Sequence, residues 1–125
     1  MNGALGKKTP LTERLRSFVY AFNGLKFILR SQLNFRIHLI AGFIVILCGF
    51  WARLNGTEWC ILMVVMGLVI SMEAMNTAIE QLVDFVSPDY HKQAGIVKDI
   101  AAGAVLLAAI TAVVTGIILF LPKMI

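Results

Sequence analysis

Long apolar stretches alternate with short polar ones along this chain of 125 residues. Three of the apolar stretches suit membrane-spanning helices, over residues 34–53, 57–86 and 97–121. A span needs about 20 mostly apolar residues, and residues 100–121 supply them without a single charge. The second stretch is long enough only if its acid-bearing end continues as helix past the hydrocarbon boundary, with its polar side covered by protein. Ahead of the spans, Leu15, Phe18, Val19, Phe22, Leu25 and Leu29 recur at helical spacing, interrupted by Arg14, Arg16, Lys26 and Arg30. That pattern predicts a basic amphipathic helix over 12–30, N-capped by Thr12 and lying on the membrane surface. Residues 1–10 read as a disordered basic tail. The expected fold is therefore an all-α membrane protein. It has one domain over 1–125, with an N-terminal amphipathic surface helix and three transmembrane helices.

The second span carries an unusual polar stripe. After the uncharged run 59–72 (Glu58 lies just before it) comes EAMNTAIEQLVD, residues 73–84. Glu73, Asn76, Glu80 and Asp84 are three, four and four residues apart. At ~100° per residue they share a stripe roughly 80° wide, with Thr77 beside them. An ionisable group at membrane depth costs about 2.5–3.5 kcal/mol on insertion scales, and such groups mark function by default. Three acids on one stripe therefore point to an inward-facing polar site, and to metal chemistry there.

Composition narrows the class. Only 14% of residues are charged, against roughly 25% in ordinary globular domains. The chain is too short for a soluble catalytic domain plus an anchor, so chemistry falls to the bundle or to several copies of it. The N-terminal stretch lacks the apolar core of a signal peptide. Cys48 and Cys60 lie in apolar segments and read as small buried hydrophobes, not as a disulfide or metal pair. Trp51 and Trp59 suit the outer membrane boundary. His38, at the start of a span, reads as an interfacial histidine.

Charge sets the expected orientation. Lys7, Lys8, Arg14, Arg16, Lys26, Arg30 and Arg36 lie before or at the start of the first span; Arg53 is alone in the first loop and Lys123 alone at the C-terminus. Lys92 and Lys98 lie between the second and third spans. The positive-inside rule puts the N-terminus and the 87–98 loop in the cytoplasm. The acid stripe and the Lys98–Asp99 pair then meet at the surface where ATP is available. Ala104, Ala108, Ala112 and Gly116 recur every fourth residue in the third span, a ridge that permits close helix approach. Three spans make a thin bundle, so a homo-oligomer with shared sites is expected.

The chain has no GxxxxGK followed by Ser or Thr, no HExxH, no GxSxG and no Cys/His pair at metal spacing. Phosphoryl transfer remains chemically open. Magnesium takes one or two carboxylates plus substrate phosphates, and Glu80 and Asp84 can supply them. A hydroxyl nucleophile needs a base in reach. Glu73, about 10 Å deeper than Glu80 at 1.5 Å per residue, can meet a membrane-resident alcohol. The competing reading is a small proton- or ion-coupled transporter or an assembly subunit, since intramembrane carboxylates also form proton relays. The placement of the acids toward one end argues against it, because transport sites sit near the midplane.

Three segments at these spacings, EAMNTAIEQLVD (73–84), DYH (89–91) and KDIAAGAV (98–105), resemble the small bacterial membrane lipid kinases, diacylglycerol kinase and its undecaprenol kinase relatives. The resemblance covers about residues 13–121, and NFRIH (34–38) is more similar to the undecaprenol type. It implies a homotrimer, with a surface helix and three membrane helices per chain, in the bacterial inner membrane. It implies MgATP as phosphoryl donor and a membrane lipid alcohol as acceptor. Residue by residue, Glu73 matches the catalytic base, and Asn76 lines the lipid site with Glu73 and Ala102. Glu80 matches a magnesium carboxylate, and Asp84 continues the polar face. Tyr20, Asp89, Tyr90 and His91 match nucleotide contacts, as do Glu80, Lys98 and Asp99. One position departs: Gln32 stands where family members place a second metal carboxylate, leaving a carbonyl oxygen without charge.

Overall fold

The computed structural model describes residues 10–125, all in helices and short connections. The helices are α1 (Pro10–Ser31), α2 (Leu33–Trp51), α3 (Gly56–Val86) and α4 (Lys92–Met124). The last three are each long and apolar enough to cross a membrane. The predicted tail lies outside the described residues, except Pro10, which is already helical. Thr12 is therefore inside the first turn and not the N-cap.

α1 buries none of its residues within the chain. It passes into α2 through one extended residue, Gln32 (φ −115°, ψ 111°), whose side chain makes no cap hydrogen bond. No glycine or proline marks this elbow. The other end of α2 is tightly closed. Leu54 N–H donates to Gly49 O and Arg53 N–H to Phe50 O, both at 3.2 Å. This is the paired bonding of a Schellman motif, with Arg53 at φ 55°. Glycine usually takes such a left-handed position. Here the apolar residue that follows, Leu54, is buried with Leu62 and Leu119.

Asn55 then opens α3 with a capping box. Its Oδ1 accepts from Glu58 N–H at 2.9 Å, and its own N–H donates to Glu58 Oε1 at 3.2 Å. Lys123, in the last turn of α4, donates to the same Glu58 Oε1 at 3.0 Å. That contact pins the end of α4 to the start of α3.

α4 begins at Lys92, five residues before the expected start near 97, and runs through Pro122 to Met124. His91 supplies the missing start signal: its Nδ1 accepts from Gln93 N–H at 3.1 Å. α3 and α4 form an antiparallel hairpin, the most extensive helix contact in the chain, and α2 packs on α3. The buried positions of α4 are Ala101, Ala108 and Leu119, so small residues let its backbone approach α3. Cys48 and Cys60 are exposed on the chain, against the expectation of burial. A three-span chain covers few helix faces, and apolar side chains remain outside to meet lipid or another copy.

Helix length grades the environment. α2 has 19 residues, α3 31 and α4 33, or about 28, 46 and 50 Å at 1.5 Å per residue. The hydrocarbon core is about 30 Å thick. The Glu58–Lys123 contact aligns α3 and α4 at one end, so both overhang at the other.

One contact in the hairpin admits no extra atom. A Cβ on Gly49 would sit 2.6 Å from the Trp59 ring, whereas one on Gly67 would meet nothing within 4 Å. Trp59 also rests on Phe50, ring centroids 4.9 Å apart. Gly49→Ala is expected to destabilise the detergent-solubilised protein by about 1–3 kcal/mol, the usual cost of overpacking. Gly67→Ala is expected to leave it unchanged or slightly firmer. Unfolding both variants in denaturant tests this.

Candidate functional site

The polar stripe of α3 is a gradient of burial. Counted from Gly56 at 1.5 Å per residue, Glu73 lies about 25 Å along the helix, Glu80 about 36 Å and Asp84 about 42 Å. Measured from Gly56, Glu73 lies within the thickness of a ~30 Å hydrocarbon core and the other two lie beyond it. The side chains follow this order: Glu73 is buried at 4% exposure, Glu80 is half-buried and Asp84 is exposed.

Each acid has a different neighbour. Glu73 Oε2 lies 3.8 Å from His38 Nε2 on α2. Thr77, one turn on, is the most buried side chain of the chain's polar set at 2%. Its hydroxyl donates to the Glu73 carbonyl oxygen at 3.0 Å, which satisfies it without engaging the carboxylate. Asn76 Nδ2 donates to Glu80 Oε1 at 3.3 Å, while Asn76 Oδ1 is buried without a hydrogen-bond partner. Asp84 Oδ1 accepts from Lys98 Nζ at 2.5 Å, joining α3 to α4 where both overhang. That pair is open to solvent, so it contributes little to stability and can be exchanged for another ligand.

Three side-chain pairs thus lie in series along the stripe: His38 with Glu73, Asn76 with Glu80, and Lys98 with Asp84. The remaining sequence candidates are more dispersed. Gln32 is half-buried at the α1–α2 elbow. Tyr20, Asp89, Tyr90, His91, Asp99 and Ala102 are exposed. His91 doubles as the α4 cap, so its Nδ1 is engaged. It also lines an apolar cavity of about 440 Å³ with Leu82, Val83, Val86 and Val97, between the end of α3 and the start of α4.

Among the described residues, no three His, Cys, Asp or Glu side chains gather as a ready metal site. The donors present are hard oxygens: the Glu80 carboxylate and, beside it, the orphaned Asn76 Oδ1. That set fits a cation which takes one or two carboxylates and completes its shell with phosphate oxygens and water. Sequence reasoning missed the His38–Glu73 contact. Nothing local marks it, because the two residues are 35 positions apart and meet only when α2 packs on α3.

The fold and the stripe define an integral membrane protein with a buried carboxylate on one apolar helix and more exposed polar groups further along the same face. The chain belongs to the prokaryotic diacylglycerol kinase family, whose pattern it matches over residues 19–120. It is similar to undecaprenol kinase of Bacillus subtilis, 38% identical over 94% of this chain and 95% of that protein. Diacylglycerol kinase of Synechocystis is 41% identical over 95% of this chain and 73% of that protein. Diacylglycerol kinase of Escherichia coli is 31% identical over 89% and 91%.

Proposed function

We propose that this membrane lipid kinase moves the terminal phosphoryl group of ATP onto the hydroxyl of a membrane lipid alcohol, with Glu73 as the base. One observation carries this reading: a glutamate 4% exposed at the depth where a lipid headgroup alcohol would rest. Membership in the family decides for phosphotransfer over transport. Undecaprenol is the favoured acceptor, from the NFRIH segment at 34–38 and the full-length similarity to an undecaprenol kinase. Diacylglycerol is the alternative, supported by the similarity to diacylglycerol kinases.

The alcohol enters from the bilayer with its hydroxyl toward Glu73, beside Asn76 and Ala102. The carboxylate accepts the hydroxyl proton as the oxygen attacks phosphorus, and ADP leaves. A buried, positioned base of this kind contributes roughly 10²–10⁴-fold. Magnesium, when bound, neutralises charge on the phosphates and aligns them. Glu80 would hold it, with Gln32 and Asp84 as further oxygen donors. Lys98 is a point charge for phosphate once it leaves Asp84. Tyr20, Asp89, Tyr90, His91 and Asp99 would surround the nucleotide, whose base suits the apolar cavity beside His91. Because these groups are dispersed in one chain, the working unit is a homotrimer in which neighbouring copies complete each site. α1 lies along the surface of the bacterial inner membrane, and its exposed apolar side chains rest in lipid. The N-terminus and the site face the cytoplasm, the side that supplies ATP.

Glu73→Gln keeps the shape and removes the base. Turnover is expected to fall by roughly 10²–10⁴-fold with nucleotide binding largely intact. Full activity in that variant would remove Glu73 from this role. Gln32→Glu adds a carboxylate at the α1–α2 elbow and is expected to lower the magnesium concentration needed for half-maximal rate. An unchanged magnesium titration would take Gln32 out of the metal site.

A further inference from the structure

Every turnover leaves the buried base holding a proton. Glu73 is 4% exposed, so it has no direct exchange with water within the chain. The adjacent Thr77 hydroxyl is committed to the Glu73 carbonyl oxygen. Glu80 is seven residues further along α3, about 10 Å away along the axis, and is hydrogen-bonded by Asn76. Among the described residues His38 is the one basic side chain within ion-pair distance of Glu73, Nε2 to Oε2 3.8 Å. Its side chain is 28% exposed against 5% for that of Glu73. It therefore spans from the buried carboxylate to the surface of the chain, and imidazole can both accept and release a proton.

We propose that His38 is the positioning partner of Glu73 and the outlet for its proton; this rests on Glu73 acting as base. The lipid O–H bond breaks, and its proton forms an O–H bond on Glu73 as the phosphate ester forms and ADP departs. The proton then passes from Glu73 Oε2 to His38 Nε2, which restores the carboxylate and makes an imidazolium. The imidazolium releases it to water. The substrate-free separation is longer than a hydrogen bond, and such contacts tighten when the reacting complex forms. α1 and α3 are the helices packed on α2. From α3 the facing charge is Glu73, while Lys26 and Arg30 of α1 and Arg36 of α2 itself are exposed.

The test measures kcat and KM of His38→Ala and His38→Gln in micelles, with and without added imidazole, beside Glu73→Gln. Both His38 variants are expected to lose about ten-fold or more in kcat, less than the ~10²–10⁴-fold of the base itself. KM for ATP and for lipid should stay within about two-fold, and imidazole should restore His38→Ala in a concentration-dependent way. A structural role alone would not be rescued by imidazole. Unchanged kcat in both variants, or a loss that imidazole leaves untouched, overturns the assignment while an inactive Glu73→Gln keeps the base reading. A fully active Glu73→Gln removes both.

Discussion

A carboxylate buried among apolar side chains is the constraint around which this protein is arranged. Ionised Glu73 would be expelled from a bare hydrocarbon environment, because an isolated charge costs several kcal/mol to desolvate. It is buried to 4% exposure where α2 packs on α3, with His38 Nε2 3.8 Å from its carboxylate. Close helix packing is thus a condition of the chemistry as well as of stability. The Schellman turn at Leu54, the Asn55 capping box, the Glu58–Lys123 contact and the Gly49–Trp59 approach all lie at the opposite end of the bundle. They fix the helices there, and the length difference between α2 and its neighbours then sets where each acid of α3 falls.

That arrangement divides labour along one helix face. The deep acid is buried within the chain. The shallow acids are more open: Glu80 is half-buried and Asp84, paired with Lys98, is exposed. In the proposed reaction a lipid alcohol and a nucleotide would approach from two different solvents, and the stripe on α3 would be the line along which those solvents meet.

Much of this was legible in the sequence because it depends on periodicity. The three apolar helices follow from length and hydropathy, and the stripe follows from the 3-4-4 spacing of Glu73, Asn76, Glu80 and Asp84. Features set by one side chain or by packing were less legible. The α4 start at Lys92 depends on His91 acting as a cap through Nδ1, which no composition cue announces. Thr12 lies inside α1 and does not cap it. Cys48 and Cys60 were expected inside, as in a soluble core, but a membrane chain of few spans turns many apolar faces outward. The His38–Glu73 and Asp84–Lys98 pairs join residues far apart in sequence, so only the fold reveals them.

The most direct measurement is phosphate transfer from radiolabelled ATP in mixed micelles with magnesium, with undecaprenol and diacylglycerol offered side by side to the intact oligomer. The account predicts label in lipid, faster in undecaprenol than in diacylglycerol. Label in neither lipid, from protein shown to be folded and assembled, would contradict it.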